Sequence, residues 1–128
     1  MKQLLLSLFA LAILSTASAQ DTKPEPQQYM QITTIESVVS GGLGRSKMIT
    51  TLADGTQKES ELNNLFSLTG INFKNISQNE TTILTTIKTY TDEGWKLVSA
   101  TPLSLSPGSS NSGIFMTRYL LSRPEQKK

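Results

Sequence analysis

The stretch Gly41-Gly42-Leu43-Gly44-Arg45-Ser46-Lys47 has the residue types nearest to a working site. Backbone N–H groups on a glycine loop, with Arg45 and Lys47 beside them, could form a nest for an anion. The order does not suit a nucleotide. A Walker loop needs a glycine upstream of Gly-Lys-Ser/Thr, but Val39 stands there and the lysine follows the serine. The pattern Gly-x-Gly-x-x-Gly fails at Lys47. Both motifs also need a helix directly after the loop, and the residues that follow alternate like a strand. A hairpin turn is the expectation, with a weak anion-binding loop using Arg45 and Lys47 as the alternative.

The remaining chemistry is sparse. The chain has no cysteine and no histidine. That excludes thiol nucleophiles, disulfides, Ser-His-Asp triads and Cys/His zinc sites. Asp92 and Glu93 are adjacent on a helical pattern, so their side chains diverge by about 100° and do not converge on a substrate. Asp54-Gly55-Thr56 lacks the further acids of a calcium loop and reads as a turn. Asn75-Ile76-Ser77 and Asn79-Glu80-Thr81 match the glycosylation pattern but are read as incidental. Trp95, Phe115 and Tyr119 could make an aromatic platform, but they are expected in the core. Arg118 is expected to snorkel or to pair with Glu36. No metal or cofactor site is expected.

Residues 1–19 read as a secretory signal peptide: Lys2, an apolar run over 4–14, then Ala17-Ser18-Ala19. The run is shorter than the roughly 20 apolar residues that a membrane span needs. Cleavage after Ala19 would leave 109 residues with 11 basic and 10 acidic side chains. That near-neutral balance gives no reason to expect a nucleic-acid partner, or a membrane partner once the signal is removed. Of those residues 34 are apolar and 28 are Ser or Thr, so the core is small and β-structure is favoured. The expected location is secreted or periplasmic in a bacterium, where a small domain without disulfides is ordinary.

The elements follow from pattern. Residues 20–28 form a polar, proline-containing linker, 29–124 one domain, and 125–128 a charged tail. Strands are expected over 29–39, 47–53, 95–101 and 113–122, with a short helix over 60–67. The main helix is expected from Ser77, whose spacing to Glu80 fits a capping box, with Ile83, Leu84, Ile87 and Tyr90 or Thr91 as its apolar stripe. Gly94 should end that helix in the left-handed conformation, with Trp95 buried behind it. The expected fold is α+β. A four-stranded antiparallel sheet of two hairpins carries one main and one short helix on one face.

At Glu93-Gly94-Trp95-Lys96-Leu97-Val98 the chain resembles a widespread family of very short bacterial proteins known only as a domain of unknown function. In that family a helix runs into Glu-Gly-Trp-x-Leu-Val, and a last strand ends in a basic residue, here Arg123 before Pro124. The resemblance covers about residues 80–124. It implies a small sheet-and-helix fold and no activity. Residues 40–76 depart from the pattern as about 40 extra residues, read either as an addition or as the mark of a neighbouring secreted family, and the export signal is a further departure.

The functional expectation is a non-catalytic exported domain that binds an unknown protein partner or self-associates, through a surface or a sheet edge. The first alternative is a small-ligand or anion-binding module using the 41–47 loop. A carboxylate-dependent enzyme is a third reading, for which no convergent pair of acids can be placed.

Overall fold

The computed structural model describes residues 25–40, 43–106 and 112–125. The expected signal peptide, residues 20–24 of the linker, Gly41 and Gly42, residues 107–111 and residues 126–128 lie outside them.

The chain forms β1 (Gln27–Val38), β2 (Ser46–Thr51), β3 (Gln57–Leu62), β4 (Phe66–Ser67), β5 (Gly70–Ile71), α1 (Phe73–Asp92), β6 (Lys96–Leu105) and β7 (Gly113–Pro124). Five strands make one antiparallel sheet in the order β3-β2-β1-β7-β6, and β4 and β5 make a separate two-stranded sheet. This corrects the expected four strands and two helices.

The difference arises at residues 57–76. Leu62, Leu65 and Phe66 have helical spacing, but the Asp54 turn sends the chain back along β2. Asp54 Oδ1 accepts the Thr56 N–H at 2.9 Å, and Leu52 N–H donates to Thr56 O at 2.8 Å. β3 then pairs with β2 in register, Met48 opposite Ser60 and Ser46 opposite Leu62. Being an edge strand, β3 buries only Leu62, so its sequence carries no alternating apolar signal.

The helix starts four residues before the expected Ser77 cap. Asn72 is the N-cap, and its side chain accepts from Asn75 N–H at 3.1 Å. Ser77 lies inside the helix, where its carbonyl accepts from Thr81 Oγ1. Thr82, Thr86 and Thr89 likewise donate to the carbonyl four residues back, so a threonine-rich helix keeps its hydroxyls satisfied. The helix ends at Gly94, with φ +89°. Trp95 N–H donates to Tyr90 O and Gly94 N–H to Thr91 O, the Schellman arrangement.

Residues directly opposite across an antiparallel pair share a face. Met30 faces Leu121, and Ile32 faces Thr50 and Tyr119. With Met48 and Leu62 they form the core against Ile83 and Trp95. Ile87 and Tyr90 pack on its margin, but Leu84, expected in the stripe, is 68% exposed. A register shift between Leu97 and Ser99 turns Leu97 toward the helix side and Ser99 to the opposite side, although strand alternation alone would put both on one face.

Candidate functional site

The residues singled out in the sequence are not brought together. Arg45 is exposed in the loop before β2. Lys47 lies within β2, and its Nζ donates to Glu59 Oε2 on β3 at 2.6 Å. That carboxylate raises the lysine's pKa above its ordinary value. Gly44 approaches a buried polar group so closely that a Cβ there would collide with Ser37 Oγ and Asn64 Oδ1. Asp92 is held by Lys88 one turn earlier, at 2.7 Å, on the exposed side of the helix. Glu36 does not reach Arg118. It lies on the helix side, where its Oε1 accepts from Asn79 Nδ2 at 3.0 Å, whereas Arg118 is on the opposite side of the sheet.

Trp95 is 5% exposed, and the Arg123 guanidinium lies over its ring, 4.4 Å from the centroid. Arg123 Nε also donates to Gln28 Oε1 at 3.3 Å. A cleft of about 1010 Å³ opens here, lined among others by Lys58, Tyr90, Glu93, Trp95 and Arg123. Its charges are mixed, since Asp54 and Glu125 line it too, and Arg123 already covers the indole face. The cleft therefore offers no field of one sign.

At the other end of the sheet is a buried polar cluster that residue patterns did not reveal. Ser37 N–H donates to Ser46 Oγ at 2.9 Å, and Ser37 Oγ donates to Asn64 Oδ1 at 3.2 Å. Asn64 Nδ2 donates to Val39 O and Phe66 O. Asn79 Oδ1 accepts Asn63 N–H, and its Nδ2 donates to Asn63 O. Every buried side-chain polar atom among the described residues has a partner, so the cluster is a structural clamp with no group left over for a ligand. The available signal was spacing: Asn79, Ile83 and Ile87 recur at i, i+4 and i+8 on the core-facing side of α1.

No described element covers the sheet face opposite the helix. Along β1 and β2 the helix-side residues Met30, Ile32, Thr34, Met48 and Thr50 are buried, whereas Gln31, Thr33, Ile35, Lys47 and Ile49 are only half-buried. Met116 and Leu120 on β7 are half-buried, while Ile114 on β7 and Leu103 and Leu105 on β6 are exposed. Ile35, Met116 and Leu103 form one row across three strands, and Ile114 and Leu105 form the next. Arg118 and Thr101 flank them on one side, and Glu59 and Glu61 lie at the β3 edge. Both sheet edges are poor templates for another strand. β3 carries Lys58, Glu59 and Glu61, and β6 has a register shift and Pro102, which supplies no N–H.

Among the described residues no three acidic side chains gather into a metal-holding group, and no helix is long and apolar enough to cross a membrane. No protein-family model, curated protein or solved structure matches the chain.

Proposed function

We propose that this chain is an exported, non-catalytic recognition domain that works through the helix-free face of its sheet. One observation carries the reading: an apolar surface of Ile35, Ile49, Leu103, Leu105, Ile114, Met116 and Leu120 that no described element covers. A contiguous exposed patch of this kind on a small domain marks an interaction surface. The face is favoured over the edges because charge and Pro102 blunt both of them. The leader-like residues 1–19 support export.

The absence of native cysteine allows a clean test. Thr33→Cys places a thiol in the middle of the open face, between Ile49 and Arg118, and Ser60→Cys places one on the helix side of β3, opposite Met48. Thr33 is half-buried and Ser60 exposed. Thiol labelling is compared between exported material in its native extract and the purified, dilute protein. The reading expects Thr33→Cys to be protected in the extract and Ser60→Cys to react equally in both. Equal labelling of Thr33→Cys in both settings removes the open face as the recognition surface. Export is tested separately, by finding the chain outside the cytoplasm with Gln20 as its first residue.

A further inference from the structure

We propose that the occupant of the open face is a second copy of this chain, the two sheets packing face to face as a sandwich; the inference rests on the reading of that face as the recognition surface.

The first argument is area. The four strands β3, β2, β1 and β7, spaced about 4.8 Å apart, give an overlapping face about 19 Å wide. The six paired residues of the short strand β2 extend about 20 Å, and the twelve of β1 and β7 about 40 Å. The overlap therefore offers about 400–800 Å², up to the roughly 800 Å² per partner of a standard interface. Aligned sheets pack with their strands about 30° apart and their inward side chains interdigitating. Ile35, Ile49 and Met116 are positioned for that role in the middle of the face.

The second argument is charge. The open face is acidic at one side, with Glu59 and Glu61 on β3, and basic at β7, with Arg118. Lys47 is already paired with Glu59. Among the described residues neither Glu61 nor Arg118 makes an ion pair. A two-fold axis running along the strands, above the seam between β1 and β2, lays the β7 of each copy over the β3 of the other and leaves β6 outside the overlap. Arg118 shares its row with Glu59 and lies one row, about 7 Å, from Glu61. It then meets the acidic strand of the other copy twice per dimer, around the Ile35 and Ile49 of both. This self-complementarity is what an isologous interface requires, and an unrelated partner would not demand it.

The test is sedimentation equilibrium of the exported chain, with Arg118→Glu, Glu61→Arg and the double variant. Both positions are exposed, so the substitutions leave the core untouched, and circular dichroism checks the fold. The expected result is a two-chain mass. Each single reversal should weaken association about tenfold or more, and the double variant should recover most of the loss, because charge pairs across an interface couple. A monomer at about 100 μM, or a dimer indifferent to both reversals, overturns the proposal. A monomer whose Thr33→Cys thiol is still protected in the native extract assigns the face to a different partner and leaves the recognition reading standing. A monomer with that thiol unprotected removes both.

Discussion

The Asn79 side chain grips the Asn63 peptide at both ends, accepting its N–H at 2.8 Å and donating to its carbonyl at 2.9 Å. A helix side chain thus does for the end of β3 what a neighbouring strand would do. It ties the β3–β4 connection to α1, and its second amide hydrogen reaches Glu36 on β1. Asn79→Ala leaves the Asn63 backbone groups and the Glu36 carboxylate without these partners. At about 1–3 kcal/mol for each buried group left unmade, the loss should be about 3 kcal/mol. Urea unfolding monitored by circular dichroism checks this; a midpoint equal to that of the parent chain would show the clamp to be idle.

Trp95 and Arg123 make separable predictions. Trp95→Ala removes a buried aromatic at a cost of about 3–5 kcal/mol, a large share of the roughly 5–15 kcal/mol available to a small domain. The variant should be largely unfolded at 37 °C. Arg123→Ala should keep the fold, lose about 0.5–2 kcal/mol of cation–π attraction, and uncover the indole. Trp95 emission should then shift to the red and become more accessible to iodide.

Gly44 is constrained by space and not by a left-handed backbone. Gly44→Ala drives a methyl group into Ser37 Oγ and Asn64 Oδ1, two atoms that hydrogen-bond each other inside the clamp. Overpacking of this kind costs about 1–3 kcal/mol. Thermal melts should show the loss, and it should be less than additive with Asn64→Ala, because that change removes the atom being struck.

Tyr119 supplies a pH dependence. Burial raises its phenol above the ordinary value of 10.0, and the negative charges of Glu80 and Glu36 push the same way. A raised folded value means the folded state holds the proton more tightly. The contribution to stability is therefore complete below pH 10 and is lost as pH rises through the folded value. An absorbance titration of the native protein should show one phenol ionising late, and Tyr119→Phe should remove that step.

Much of the scaffold was legible in the sequence because it is local. The four principal strands, the glycine stop at Gly94 and the burial of Trp95 follow from side-chain alternation and from the backbone freedom of one residue. The fifth strand was not legible. Residues 57–62 are nearly all exposed, so no periodicity marks them, and only pairing with β2 makes them a strand. Ser77 and Glu80 have capping-box spacing, but Asn72 caps the start of α1 five residues before Ser77, so the local pattern marks a position inside the helix.

The candidate surface divides in the same way. The alternation of Ile114, Met116, Arg118 and Leu120 on β7 is present in the sequence. Their place on an uncovered face is not, because alternation gives two faces without saying which one a helix will cover. That was decided by tertiary packing. α1 buries Ile83 against Met30, Ile32 and Met48, and the chain contributes no second described helix to the other side. A single helix can cover only one side of a sheet, so the side on which α1 docks leaves the other side without a described covering element.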